Sequence, residues 1–302
     1  VYSIVDLLPP PGGVGSVLGA QGLNDNGLVV GSSRQVSGYS RAAAWQVGVG
    51  PTATGMFLPI FGGDTYSEAR DANNSGMIAG VSGVIGSGPS HAVVWVGGGG
   101  SYVVRDLGIL PSTPTFTFTT SSAGVVSEPD ANGVTWVVGA SENSGAAEIH
   151  HPTVWRIDSG GNVLTRIDLE PAEPTRAWAN DVRVVGSTVL VVGDVNPAAS
   201  RRTRVWTLDL TGNVLSRNTL GTLGGPESTG LSINSQGHVA GWSNKTSTSP
   251  YFGFIHRDGA MTSLGSLGNN GSLAFALNDS DTVVGHYTTV GKRVTDGSQQ
   301  YA

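Results

Sequence analysis

The sequence predicts an all-β protein, a six-bladed β-propeller with four antiparallel strands in each blade. A short motif, seen most clearly at Ser232–Gly241, recurs five times and begins a sixth time near the C-terminus. A second landmark, a tryptophan that closes a short apolar run, follows the motif at matching intervals. No stretch has a sustained helical period. A repeat of about 50 residues that holds four short strands is typical of a propeller blade.

Two markers define the repeat independently. The motif ends in a glycine, and these glycines are Gly31, Gly80, Gly139, Gly193, Gly241 and Gly285. The apolar run ends in a tryptophan in four units and in His256 in the fifth, and these tryptophans are Trp45, Trp95, Trp155 and Trp206. Because the two markers shift together along the chain, they indicate one structural unit that is copied rather than a chance similarity.

Each unit is predicted to contain strands A to D. Strand A runs into an Asn-x-x-Gly tip and strand B leaves it, as around Asn24–Gly27. Strand C is the run that ends in tryptophan, and strand D is an apolar segment such as Tyr102–Leu107. Asn, Asp and Gly tolerate positive φ, so the tips suit hairpin turns. β-Branched and aromatic residues occupy the runs between the turns, as in strands.

The unit at the C-terminus is incomplete. It has a strand A at 272–277, a strand B at 282–286 and the start of a strand C at 300–302. The N-terminal segment Tyr2–Leu8 resembles strand D of the second unit, with Asp6 matching Asp106. The sequence therefore predicts that the N-terminal strand completes the C-terminal blade, which would close the ring and remove two exposed sheet edges.

This reading makes residues 1–302 a single propeller domain. The predicted blades are approximately 14–61, 64–110, 122–170, 175–223, 228–267, and 272–302 together with 1–8. The Thr/Ser-rich stretch 111–127 is predicted to be an elongated loop, because it accounts for the one long interval between tryptophans.

Composition excludes several classes of protein. Charged residues make up 13% of the chain and the net charge is −6, so no basic surface favours nucleic acid. The chain has no cysteine, which excludes disulfides, iron–sulfur clusters and thiolate zinc sites. No apolar run reaches about 18 residues, so no membrane span is predicted. We find no phosphate-binding loop, dinucleotide fingerprint or nucleophile elbow, and expect neither a cofactor nor a metal.

The fifth unit resembles a known bacterial repeat. Its Leu220–Gly225 segment, followed by Ser232–Asn234, Gly237 and Gly241, is similar to the extracellular HAF repeat, which is named for a His-Ala-Phe triplet. His91-Ala92-Val93 looks like a variant of that triplet. The resemblance implies an exported bacterial β-repeat protein, extracellular or attached to the cell surface, and it transfers no catalytic motif.

The loops between strands B and C differ most between units, and they lie on the same face as the loops from D to A. Variable loops on a rigid frame are where binding sites usually lie, so this face is the predicted site. The position that opens strand C is cationic or aromatic in every unit; its residues are Arg41, His91, His151, Arg202, Phe252 and Tyr301. These side chains either form a ring that recognises an anionic or sugar-like ligand or, as we favour, pack against the neighbouring blade.

Other side chains complete the set of candidate ligand-binding residues. Trp178 and Arg176 lie on a predicted inner strand, Tyr251 lies on the variable-loop face, and Glu68 is a candidate acid. A glycosidase or lyase needs two carboxylates that face one cavity, and Glu68 with Glu128 is one possible pair. Ordinary solvated loop carboxylates explain the same residues, and this explanation is preferred. The adjacent His150 and His151 would point to opposite sides of a strand, which disfavours a shared metal.

The favoured function is therefore a secreted or surface-associated bacterial module that binds or assembles without catalysis. Its partner would be a glycan, an envelope component or another copy of the chain. The alternative is a carbohydrate-active hydrolase or lyase whose carboxylates lie at the mouth of the propeller channel.

Overall fold

A computed structural model describes residues 4–86, 88–143, 149–172, 176–196, 200–266 and 270–287 of the chain. Every regular element in these ranges is a β-strand, which confirms the predicted all-β class. None of their residues forms a helix long and apolar enough to cross a membrane. The chain divides into two compact units, residues 1–169 and 170–302, which are described separately.

The first unit contains three sheets. The first sheet has a short leading strand followed by four antiparallel strands: β1 Asp6–Leu8, β2 Gly13–Leu23, β3 Leu28–Gln35, β4 Ser40–Gln46 and β5 Thr52–Phe57. The second comprises β6 Tyr66–Ala72, β7 Ile78–Gly83, β8 Ser90–Gly98 and β9 Ser101–Asp106. The third comprises β10 Thr120–Val126, β11 Thr135–Glu142, β12 His150–Ile157 and β13 Val163–Asp168. Each sheet thus follows the predicted A-to-D order.

The second unit contains two further sheets of four antiparallel strands and one of two. The four-stranded sheets are β14 Trp178–Val185, β15 Thr188–Val195, β16 Arg202–Asp209 and β17 Val214–Thr219, and then β18 Ser228–Ile233, β19 Val239–Asn244, β20 Tyr251–Arg257 and β21 Ala260–Gly265. The last comprises β22 Ser272–Leu277 and β23 Val283–Tyr287. These are strands A and B of the sixth predicted unit; its predicted strand C, at 300–302, lies outside the described residues.

The N-terminal strand has a different partner from the one predicted. β1 pairs in parallel with β5 of the first sheet, with Asp6 opposite Thr52 and Leu8 opposite Thr54. The outer edge of β5 offers unpaired backbone groups, and β1 uses them. Within the described ranges β1 pairs only with β5, so its predicted pairing with the C-terminal blade is not confirmed.

The glycine that ends each motif has a steric explanation. Strand A carries a β-bulge in every sheet, for example between Ala69 and Asp71, and the glycine of strand B lies opposite this bulge. A Cβ on Gly80 would overlap the carbonyl oxygen of Glu68. The same overlap arises at Gly31, Gly139, Gly193, Gly241 and Gly285. The extra residue bends strand A and brings its backbone too close for any side chain there.

The Asn-x-x-Gly tips are held by hydrogen bonds between neighbouring sheets. The Asn73 side-chain oxygen accepts from the amide of Met77 in its own turn, while its Nδ2 donates to the carbonyl oxygen of Ser127 in the next sheet. Asn24 makes the matching bonds to Leu28 and Asn73. Each asparagine therefore caps one turn with its oxygen and joins two sheets with its amide, which accounts for its recurrence.

The repeated tryptophans are packing residues, as predicted. Trp45, Trp95, Trp155 and Trp206 are completely buried. Trp95 donates its indole hydrogen to the carbonyl oxygen of Pro59 at 2.7 Å, and Trp155 donates to Gly108 at 3.2 Å. Both acceptors follow strand D of the preceding sheet. Buried indoles normally find such a partner, and here it fixes the angle between successive sheets.

Candidate functional site

The predicted column at the start of strand C faces strand D of its own sheet in the first unit. Arg41 Nε donates to the carbonyl oxygen of Leu58 at 2.9 Å. His91 Nδ1 lies 3.5 Å from Asp106. His151 is completely buried, with Nδ1 2.7 Å from Asp168 and its ring against Phe116 and Phe118. These polar contacts are made within each side chain's own sheet and not, as the packing interpretation predicted, with the neighbouring blade, and the ligand-binding role of the column remains a prediction.

The other candidate residues are dispersed. Arg202 Nη1 donates to the carbonyl oxygen of Arg201, and Tyr301 lies outside the described residues. Glu68 lies 4.0 Å from Arg70 in a partly exposed ion pair. Arg176 is exposed beside the start of the fourth sheet.

The suggested pairing of Glu68 with Glu128 is wrong in its geometry. Glu128 Oε1 accepts a hydrogen bond from the backbone amide of Asn74, which places Glu128 at an A-to-B tip. Glu68 lies within β6, near its B-to-C end. Asp130, two residues further along, is buried and caps the same tip. Turn capping, which the sequence pattern did not separate from a free loop carboxylate, explains both positions.

Two of the predicted residues do come together, in the second unit. Trp178 on β14 lines a recess of about 300 Å³ with Asn180, Asp194, Arg201, Thr229, Leu231 and Trp242. We call this recess the Trp178 cleft. Tyr251 lies at its rim and is 42% exposed. The ring centroids of Tyr251 and Trp242 are 4.1 Å apart. Since Arg201 and Tyr251 precede or open strand C, the cleft lies on the predicted variable-loop face.

Arg201 lies between the two tryptophans of the cleft. Its guanidinium carbon is 5.6 Å from the ring centroid of Trp178 and 5.8 Å from that of Trp242. Its side chain remains 35% exposed. Contact with two aromatic faces holds a guanidinium by cation–π attraction and leaves its edge free for a planar acceptor.

Asp194 is the acidic residue that lines the cleft. It follows Gly193 on β15 and is only 3% exposed. Its Oδ2 lies 3.3 Å from Arg201 Nε, and its Oδ1 lies 3.4 Å from Asn180 Nδ2. Burial raises the pKa of Asp194 to about 6, even though Arg201 and the Asn180 amide both oppose the shift. Asp194 is thus a carboxyl group that changes charge near neutral pH.

Two residues with hydroxyl groups belong to the cleft and its rim, Thr229 and Tyr251. Thr229 is 3% exposed, and its Oγ1 has no hydrogen-bond partner in the described part of the chain. The Tyr251 hydroxyl donates to Glu227 Oε2 at 3.1 Å. Partial burial and then Glu227 raise the pKa of Tyr251, so it stays a neutral hydrogen-bonding group.

Asp194, Arg201 and Trp242 were not among the predicted site residues, although the repeat contains a signal for one of them. The residue after the repeated glycine is buried in four sheets, as Ser32, Val81, Ala140 and Asp194. An aspartate at this position of the repeat differs from the small or apolar residues that three of the other sheets have there. Buried carboxylates are rare unless they are paired. Arg201-Arg202 was the other local departure, in a chain with few cations.

A metal centre finds no support in the part of the chain that the structure describes. No group of three or more His, Asp or Glu side chains converges there. His150 and His151 face different carboxylates, Glu142 and Asp168. A larger recess of about 630 Å³ runs beside β22 and β23, but its lining ends at Tyr287, next to residues that the structure does not describe.

Comparison with known proteins shows the fold alone. No protein-family model matches the chain, and no curated protein matches it. The chain is similar to the β-propeller domain of the trilobed protease from Pyrococcus furiosus, with 10% identity, 91% of this chain and 80% of that chain covered, and a TM-score of 0.54. The fold is therefore of the β-propeller kind.

Weaker similarities extend to two solved structures of carbohydrate-active proteins. A Trypanosoma rangeli sialidase gives 10% identity over 89% of this chain and 52% of the other, with a TM-score of 0.49. An ulvan lyase gives 12% identity over 91% of this chain and 78% of the other, also with a TM-score of 0.49.

Proposed function

We propose that the chain is a saccharide-binding module and that the Trp178 cleft is its binding site. The observation that carries this proposal is the convergence of Trp178, Trp242 and Tyr251 on one recess that also holds Arg201 and Asp194. Sugar rings have an apolar face and a polar rim, so they are recognised by aromatic platforms that are flanked by a few fixed polar groups.

The size of the cleft indicates how much of a saccharide it holds. A recess of about 300 Å³ is at the lower end of the range for small-molecule sites. We infer that one sugar residue enters the cleft and that the rest of the chain lies across the exposed ring of Tyr251. Because β-strands hold Trp178, Trp242 and Tyr251, the platform is formed before the ligand arrives, which lowers the entropic cost of binding.

A glycan array tests this proposal. Wild-type protein should bind a subset of saccharides, and Trp178→Ala and Tyr251→Ala should each weaken that binding about tenfold or more, since each removes a stacking surface. Tyr39→Ala is the matched control, because Tyr39 is an aromatic residue of another B-to-C loop with a similar exposure of 44%. Binding that the cleft variants and the control affect equally would overturn the assignment.

A second candidate function is hydrolysis or elimination on a saccharide, with Asp194 as the proton-transferring group. A carboxyl with a pKa of about 6 can donate or accept a proton near neutral pH. Incubation with polysaccharides should then release new reducing ends or unsaturated sugars, and Asp194→Asn should abolish the release. Binding without product formation would leave only the binding function.

We also propose that the chain is an HAF-repeat protein that acts outside the bacterial cell, where its partner is a glycan, an envelope component or another copy. The resemblance of the fifth unit supports this location. Exposure of the protein to protease on intact cells of its native bacterium is the test: degradation without cell lysis is expected, and complete protection would contradict it.

Finally, we propose that the propeller has six blades closed into a ring. Trp45 donates its indole hydrogen to the carbonyl oxygen of Leu8 at 2.7 Å, as Trp95 does to Pro59 after a strand D. This equivalence supports a strand-D role for the N-terminal segment. A crystal structure in which the N-terminal segment lies beside the strands at 272–287 is expected, and one in which the two ends of the chain lie far apart would refute closure.

A further inference from the structure

We propose that the Trp178 cleft takes an acidic saccharide, whose carboxylate or sulfate group binds the Arg201 guanidinium. This inference rests on the saccharide-binding function proposed above and names its ligand class. It follows from the position of Arg201 between two aromatic rings, with a buried carboxyl on one side and solvent on the other.

Arg201 is held by one ion pair in the described part of the chain. Its Nε lies 3.3 Å from Asp194 Oδ2. Within the described ranges, its terminal nitrogens make no hydrogen bond. A guanidinium presents five N–H groups in a planar fork that matches carboxylate and sulfate geometry. Cation–π attraction to Trp178 and Trp242 holds the guanidinium in place, so an incoming anion meets a donor group that is already positioned.

Thr229 provides a second, independent indication of a ligand. Thr229 lines the same recess, and its buried Oγ1 has no partner in the described part of the chain. A buried hydroxyl without a partner is destabilising, and a ligand oxygen that reached it would satisfy it. Arg201 and Thr229 thus both bring hydrogen-bonding groups to the lining of the recess, as an anionic or hydroxyl-rich ligand requires.

Asp194 makes the site sensitive to pH. When it is ionised, its carboxylate repels an incoming anion and competes for Arg201; when it is protonated, Arg201 keeps its charge without a competitor. The pKa of about 6 places this change in the mildly acidic range. A bound anion favours the protonated form further, so binding takes up a proton. Affinity for an acidic saccharide should therefore rise as pH falls from about 7.5 to about 5.

The other charged groups around Asp194 are already engaged. On β16, Arg204 Nη1 is 2.8 Å from Glu170, and Arg202 Nη1 donates to a backbone carbonyl. Glu227, which precedes β18, accepts from Tyr251. The neighbouring side chains on β14, β18 and β19 that line the cleft, namely Trp178, Asn180, Thr229, Leu231 and Trp242, carry no charge. Asp194 and Arg201 are therefore the pair whose balance decides the charge of the cleft.

The test compares one saccharide with and without its charge. Calorimetric titration with a short oligogalacturonate, with its methyl ester and with a sulfated oligosaccharide gives affinities at about pH 5 and about pH 7.5. We expect the acidic probes to bind at least about tenfold more tightly than the ester, and more tightly at the lower pH, since a charge-assisted hydrogen bond contributes about 1.5–3 kcal/mol.

Variants separate the possible roles of the pair. Arg201→Gln should remove the preference for charge, Arg201→Lys should restore part of it, and Asp194→Asn should bind the acidic probe equally well at both pH values. Arg34→Gln, at an exposed arginine near the end of β3 in another sheet, is the matched control. Circular dichroism of each variant confirms that it is folded.

The outcomes distinguish this inference from the proposed function. If the ester binds as tightly as the acid and Arg201→Gln leaves both affinities unchanged, the proposed acidic ligand class is wrong. The saccharide-binding function of the Trp178 cleft would still stand. If neither these probes nor any saccharide of the array binds, the proposed function fails as well.

Discussion

Asp194 is buried beneath Arg201, with its Oδ2 3.3 Å from the arginine Nε, and this one pair carries the opposite charges of the Trp178 cleft. The arginine is partly exposed, whereas the aspartate is buried. Ionisation of the Asp194 carboxyl is therefore costly, because the charged form loses its contact with water. Such an arrangement has consequences for stability as well as for binding.

The first prediction concerns stability against pH. The pKa of Asp194 is raised to about 6 in the folded protein, above its usual value of 3.8, so the native state binds this proton more tightly than the unfolded state does. The contribution of Asp194 to stability is fully present below about pH 4 and is lost as pH rises through about 6. Asp194→Asn removes this titration.

Urea unfolding of the wild type and of Asp194→Asn over this pH range provides the measurement. The free energy of unfolding of the wild type should fall relative to the variant by about 2 kcal/mol between about pH 4 and about pH 7, because each pKa unit corresponds to about 1.4 kcal/mol and most of the shift is titrated in this range. A constant difference between the two proteins would show that Asp194 has an ordinary pKa.

The second prediction concerns the repeated glycines. Gly241→Ala should lower the free energy of unfolding by about 3 kcal/mol or prevent folding, because the new Cβ would overlap the carbonyl oxygen of Thr229 at the bulge. Gly48→Ala is the control, since nothing lies within 4 Å of the corresponding position. Thermal unfolding of both variants is the measurement, and equal effects would disprove the steric explanation.

The third prediction concerns the asparagine tips. Asn73→Asp keeps the oxygen that caps Met77 but replaces the donor to Ser127 with a second oxygen. Near pH 7 this buried change should cost about 2 kcal/mol, since two acceptors then face each other. Part of the loss should be regained near pH 4, where protonation restores a donor. Chemical unfolding at the two pH values measures it; an effect independent of pH would contradict this reasoning.

The fourth prediction concerns the N-terminal strand. Trp45→Phe removes the indole donor to the Leu8 carbonyl oxygen and should loosen residues 6–8. Hydrogen exchange of the Asp6 amide, which donates to Pro51, should accelerate. Trp95→Phe, which breaks the equivalent bond to Pro59, should leave this exchange unchanged. Unaltered exchange in Trp45→Phe would show that the parallel pairing with β5 alone holds the strand.

Much of the fold could be predicted from the sequence because its determinants are local. The tips, the strands and the packing role of Trp95 follow from residues that lie close together in the repeat. The partner of β1 could not be predicted, since Asp6–Leu8 has the pattern of a strand D but pairs with whichever edge is free. The steric role of Gly80 was also hidden, because it depends on a bulge in a different strand.

The site was predicted only in part, for a similar reason. Trp178 was identifiable as an aromatic residue of an inner strand and Tyr251 as one of the variable-loop face, and the structure brings them to one cleft. Asp194 was not predicted, because its importance comes from burial, which tertiary packing creates. Arg201 gains its role from two rings, Trp178 and Trp242, that are 64 positions apart in the chain.

The most direct test of the saccharide site uses the tryptophan side chains themselves. In a nitrogen-15 spectrum, each indole N–H gives one signal, and substitution to phenylalanine assigns it. On addition of a short oligogalacturonate, the signals of Trp178 and Trp242 should move, while those of the fully buried Trp45, Trp95, Trp136, Trp155 and Trp206 stay in place. If only signals outside the cleft move, or if none moves with any saccharide that the protein binds, the Trp178 cleft is not the binding site.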